Sequence, residues 1–150
     1  MRIETTRFGH IEVKEETVFV FAEGIPGFEQ EREFCVVQFE EHLPFKYLQS
    51  LHAPEVSFII VNPFEFVTSY EFDLSEVDME VLQVKATQIE TAKDLLIYTI
   101  VNMNDELSEA TINLAAPVLL NSASKQGRQI VLMQGNYATK HRLFEPAPTE

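Results

Sequence analysis

Cysteine, glycine and positive charge are all scarce in this chain. The single cysteine, Cys35, excludes an intrachain disulfide, and its place inside the apolar run FCVVQF marks it as a small buried hydrophobe. Five glycines in 150 residues leave little for a phosphate-cradling loop. No Gly-x-x-x-x-Gly-Lys element is present, and Gly24 and Gly27 are too few for dinucleotide binding. No apolar run approaches the roughly 18 residues of a membrane helix. The opening MRIETTRFGHIEV has no apolar centre for a signal peptide, so the cytoplasm is the expected location. Lys and Arg number 11 against 24 Asp and Glu, a net charge of −13. That deficit argues against direct nucleic-acid binding and against an anionic membrane surface, both of which need clustered cations. It is compatible with a basic protein partner, and also with acidity that simply keeps the chain soluble.

Catalytic patterns are equally scarce. His10, His42, His52 and His141 share no short ligand spacing with one another, with Cys35 or with an acid, so zinc is not expected. There is no Gly-x-Ser-x-Gly elbow. Glu15-Glu16 and Glu40-Glu41 are adjacent pairs, and neighbours on a strand point to opposite faces. Glycosidase chemistry needs two carboxylates facing across a cleft, and a solvated acidic edge explains these pairs more simply. The expectation is a protein that is not an enzyme, with no catalytic, metal or cofactor residues.

What is present is a globular composition, 45% apolar and 23% charged. At this length one domain is expected, over residues 1–144, with EPAPTE (145–150) as a loose tail. Acids and aromatics crowd the front. Residues 1–80 hold 17 acids and 5 bases, and eleven of the twelve Phe precede residue 73. The dominant period is two. RIETT and IEV around Phe8-Gly9-His10 predict a hairpin. Strands are predicted at 17–21, 33–39, 45–51, 56–61, 67–74, 94–103, 110–121 and 129–134. GIPGF (24–28) predicts a tight turn, and FEQER (28–32) one helical turn. SEVDMEVL (75–82) predicts a helix capped by Ser75, with Val77, Val81 and Leu82 inward. Pro117 marks its strand as an edge or a bulge. Many short strands with little helix predict an all-β fold, a small barrel-like curled antiparallel sheet with one or two short helices. An α+β fold is the alternative.

GIPGF (24–28), FIIVNPF (58–64), YEFDL (70–74), NLAAPVLLN (113–121) and YATKH (137–141), in this order and spacing, resemble the FliW family of bacterial flagellar assembly factors. The resemblance runs over nearly the whole chain. It implies a small cytoplasmic β-barrel with no cofactor. It also implies two protein partners: flagellin, and CsrA, the dimeric RNA-binding translational repressor. In the family's scheme free flagellin occupies the factor. Once flagellin is exported, the factor captures CsrA away from its RNA site and flagellin mRNA is translated. A flagellin chaperone with no regulatory branch is one alternative, and a small-ligand or carbohydrate barrel another. The free protein is expected to be a monomer, with no direct nucleic-acid contact and no membrane contact.

Candidate contact residues rest on physical grounds, at motif positions. In NPFEFVTSYEFDL (62–74), alternation places Tyr70, Phe72 and Leu74 on one face and Glu71 and Asp73 on the other. Phe64 and Phe66 are candidates for an exposed aromatic patch ringed by acids, against their alternative use as core. Ile25 and Phe28 flank the glycine turn, either exposed for recognition or plugging a barrel end. Pro117 marks an edge that a partner strand could extend.

Overall fold

The computed structural model describes residues 1–38, 44–85, 94–103, 109–132 and 137–143. A hairpin of β1 (Arg2–Thr5) and β2 (Gly9–Glu12) opens the chain. Next come β3 (Val18–Phe21), β4 (Glu33–Val37), β5 (Lys46–Ser50) and β6 (Ser57–Val61). Helix α1 (Glu76–Leu82) precedes β7 (Leu95–Asn102), β8 (Thr111–Ile112), β9 (Val118–Asn121), β10 (Gln126–Gln129) and β11 (His141–Arg142). The sheet runs β11-β8-β7-β6-β5-β4-β3-β10-β9, and β9 pairs back to β7. Seven strands therefore close on themselves, and β8 and β11 extend from β7 as a flap.

Closure depends on one pairing that the sequence pattern did not announce. β10 meets β3 in parallel, Gln126 opposite Val20 and Gly127 opposite Phe21, while the other pairs are antiparallel. Gly127 permits the contact. A Cβ there would lie 2.5 Å from Phe21 Cε1 and 3.0 Å from Leu120 Cδ2. The strand predicted at 129–134 thus begins earlier, at Gln126, straight after a turn in which Lys125 takes φ 64°. Its bonding persists beyond Gln129, since the Ile130 and Leu132 N–H groups donate to the Pro117 and Ala115 carbonyls.

Period-two alternation divides the apolar residues between two faces. Phe19, Phe21, Phe34, Leu48, Ile60, Tyr98, Val118 and Leu120 fill the barrel interior. The outward face is covered too. The hairpin packs Ile3 and Val13 on Cys35. Helix α1 lays Leu82 over Leu95, Leu119 and Ile130. The segment after β6 packs with the flap strands.

Several sequence expectations change. Residues 67–74 form none of the named strands: the Val67 N–H donates to the Pro63 carbonyl, that of Tyr70 to the Val67 carbonyl and that of Glu71 to Tyr137 Oη, while Asp73 makes an isolated bridge. FEQER forms turns and no helix. Val77 points outward at 57% exposed, because the inward position on that face goes to Asp78, which binds Arg128. A strand also follows the last one predicted, at 129–134: His141 begins β11 against Ile112. Pro117 is no edge residue. It is buried, and β9 has β10 on one side and β7 on the other. Its carbonyl accepts from Ile130 where it has no N–H to return. The expected tail at 145–150 lies outside the described residues.

Candidate partner-binding site

The turn GIPGF joins β3 to β4 at one end of the barrel. Gly24 sits at φ 69°, and a Cβ there would lie 2.6 Å from Glu29 Cα, so the position demands glycine. Gly27, at φ 89°, completes the reversal, and the Phe28 N–H donates to the Ile25 carbonyl at 2.6 Å. The loop divides its two apolar side chains by function. Ile25 is 2% exposed and packs among the interior residues as a plug. Phe28 is 41% exposed and rests edge-on against the Phe58 ring at 5.1 Å. Among the described residues it is the one aromatic ring among the exposed large apolar side chains.

Carboxylates flank Phe28 in sequence along the loop, with the exposed Arg32 among them. Glu23 and Glu29 are exposed. Glu31 accepts from Ser50 Oγ at 2.7 Å, and Glu33 pairs with His52 Nε2 at 2.9 Å. Arg128 offsets part of this charge. It donates from Nη1 to Glu23 and from Nε to Asp78, both at 2.8 Å, tying the loop to helix α1. The result is an apolar ring on a glycine-fixed turn at the barrel end, in a loop rich in acids.

The aromatic segment 62–74 is organised differently. The Asn62 side chain accepts from the Phe64 N–H at the start of a 3-10 turn, Pro63–Glu65. Tyr70 is buried, and its hydroxyl donates to the Leu114 carbonyl at 2.6 Å. Burial, with the nearby Tyr137 second, holds its phenol well above the usual range. Phe64, Phe72 and Tyr137 stack around it at 5.8, 5.5 and 4.7 Å between centroids. Tyr137 Oη also meets both the N–H and the carbonyl of Glu71 at 3.1 Å. Phe64 and Phe66 are half-buried and pack against this cluster. The alternation at 70–74 does appear: Tyr70 and Leu74 are buried, Phe72 half-buried, and Glu71 and Asp73 exposed. Four of the five sequence motifs thus meet in one packed node, through Phe64, Tyr70, Leu114 and Tyr137. Only GIPGF stands apart, touching FIIVNPF through Phe58.

Among the described residues no group of three or more His, Cys, Asp or Glu is placed to hold a metal. No helix among them is long and apolar enough to cross a membrane. Sequence reasoning missed Arg128, whose bridging role depends on a contact over 105 residues, and Tyr137, whose ring pins the distant Glu71 backbone. A lone Arg or Tyr in a polar stretch carries no pattern that would reveal either.

Comparison with known proteins agrees with this architecture. The family model described as FliW protein matches residues 2–143. A flagellar assembly factor FliW of Syntrophomonas wolfei is 35% identical over all of this chain and 93% of its own length. One from Bacillus subtilis is 38% identical over 94% of this chain and 95% of its own. A crystal structure of the flagellar assembly factor FliW superposes with a TM-score of 0.88 at 36% identity, covering 97% of this chain and 99% of that one. None of these names describes an enzyme. A common fold, a family model matching nearly the whole chain and relatives matched over nearly their whole lengths lead to one conclusion: this chain belongs to the FliW family of flagellar assembly factors.

Proposed function

We propose that the protein serves flagellar assembly as a protein-binding regulator with two alternating partners, flagellin and the repressor CsrA. Bound to CsrA, it lowers the repressor's hold on flagellin mRNA. The supporting observation is Phe28, an exposed aromatic among acids on a glycine-fixed turn. Aromatic anchors dominate interface energetics, and a rigid anchor loses little entropy on docking. A partner with an apolar groove and basic flanks fits this surface.

An RNA-binding repressor presents cationic surface to phosphates. Docking a neighbour of net charge −13 beside that surface raises the cost of bringing RNA in. Screening confines the effect to about 8 Å at physiological salt, so the acids must stand near the RNA path. Contact outside the RNA site with an effect on RNA affinity is coupling between sites, of roughly 1–3 kcal/mol in typical cases. Exposed Glu71 and Asp73 are candidates for a second contact, on the separate aromatic node that Phe64, Phe66, Tyr70 and Phe72 build. Ile25 supports the Phe28 turn from the barrel interior, and Pro117 is a buried scaffold position.

The test is titration calorimetry of purified CsrA and of flagellin with wild-type and Phe28→Ala protein, separately and in competition. Loss of one buried aromatic anchor weakens binding by about 10- to 100-fold. The reading predicts that loss for CsrA with a folded variant, and flagellin displacing CsrA. Flagellin binding with no CsrA binding in the wild type supports the chaperone reading instead. Unchanged CsrA affinity in Phe28→Ala removes the anchor from the account.

A further inference from the structure

The loop at 24–28 plugs one end of the barrel; among the described residues nothing plugs the opposite end. A cleft of about 510 Å3 lies there, within the range of about 300–1,000 Å3 usual for small-ligand sites, which favour the mouths of β-barrels. Buried Phe19 and Tyr98 and half-buried Val36 form its apolar wall. Leu96 occupies an inward position of β7, two residues before Tyr98, yet is 40% exposed because nothing described fills the mouth above it.

Two ammonium groups reach this apolar wall. Lys46 Nζ donates to Tyr98 Oη at 3.2 Å and lies 5.5 Å from that ring's centroid. Lys125 Nζ lies 5.2 Å from the Phe19 centroid and donates to the Glu16 carbonyl at 2.7 Å. Among the described residues neither lysine pairs with a carboxylate, although the chain has 24 acids to 11 bases. Each ammonium has three donors, and the contacts named use one apiece. Exposed Glu12 and Glu16 also line the cleft, on the hairpin side.

We propose that this open barrel end binds a small amphipathic anion, a free carboxylate on a short aliphatic body. The carboxylate takes the spare donors of Lys46 and Lys125, and the body lies on Leu96, Val36 and Tyr98. The site is separate from the Phe28 surface and does not depend on the function proposed above.

Hexanoate is a suitable probe and hexanol its neutral control, titrated into the full chain by calorimetry and by amide NMR. The expected result is saturable one-to-one hexanoate binding with Kd below about 1 mM, about tenfold or more tighter than hexanol. Lys46→Met, which keeps the apolar stem, weakens it about tenfold, and amide shifts centre on Val36, Lys46, Leu96 and Lys125. Phe28→Ala leaves hexanoate binding unchanged, which separates this site from the partner surface. No saturable binding, equal affinity for hexanol, or shifts centred elsewhere overturns the proposal. Should Lys46→Met fail to fold, Lys125→Met and the wild-type shift map decide it by the same criteria.

Discussion

Tyr70 shows how one side chain fixes a segment that has no strand of its own. Its hydroxyl is the donor that reaches the Leu114 carbonyl in the buried node. Tyr70→Phe keeps the ring and leaves that carbonyl short of a partner, costing about 1–3 kcal/mol. For a domain of this size that lowers Tm by roughly 2–4 °C per kcal/mol, read by calorimetry. Cys35 sets a different dependence. Burial beneath the hairpin pushes its thiol from 9.0 up to about 11. The unfolded chain therefore gives up this proton at lower pH than the folded one. The contribution is intact below pH 9 and is lost as pH rises through about 11. Between those values, wild-type Tm should fall more steeply than that of Cys35→Ala, whose midpoint at pH 8 is lower because of the cavity. Parallel curves would show that the thiol does not titrate as its burial requires. The burial of Cys35 was legible from FCVVQF alone. The hydroxyl bond of Tyr70 was not, since its acceptor lies 44 residues away.

Local chemistry decides the elements, and distant contacts decide where they lie. Helix α1 has seven residues, too short to persist on its own. Ser75 accepts from the Asp78 N–H at its start, as SEVD announced. Its far end is held by Asn121, the last residue of β9, whose Nδ2 donates to the Leu82 carbonyl at 2.7 Å. Asn121 Oδ1 meanwhile accepts from the Ala123 and Ser124 N–H groups, shaping the turn into β10. Asn121→Ala breaks both ends of that link and should cost about 2–4 kcal/mol in urea unfolding, against about 1 kcal/mol for Ser75→Ala. The reverse order would contradict the tethering account. Gly127→Ala presses a methyl group into the Phe21 ring at the one parallel seam and should cost about 1–3 kcal/mol. Strand positions were readable because alternation is local. The seam was not, because parallel pairing of β3 with β10 joins residues over a hundred positions apart, and no periodicity encodes register between them. The reading of 67–74 as a strand failed because aromatic content signals burial as readily as pairing, and here turn bonds win.

At the scale of the whole molecule the barrel has unlike ends. The end closed by the β3–β4 and β5–β6 connections carries Phe28 with Glu23, Glu29, Glu31, Glu33 and Glu55, against Arg32, His52 and Arg128. The opposite end carries Lys14, Lys46 and Lys125 beside Glu12 and Glu16. The front-loaded acidity of the sequence thus becomes, in part, a charged rim around one exposed ring. Composition made the acid and aromatic excess visible. It left open which rings would be spent on packing, and most of those in 62–74 are. The exposed ring falls instead on the glycine turn, whose reversal leaves Phe28 outside the core. The five motifs that resemble the family mainly build the scaffold, so their spacing spoke to the fold more than to any contact surface.

Hydrogen exchange of the full chain, alone and saturated with CsrA, tests that surface most directly. The account predicts slowed exchange in residues 23–33 and around Phe58, with little change at the lysine-bearing end. Protection confined to the flap strands or to the open barrel mouth, with 23–33 unaltered, would contradict it.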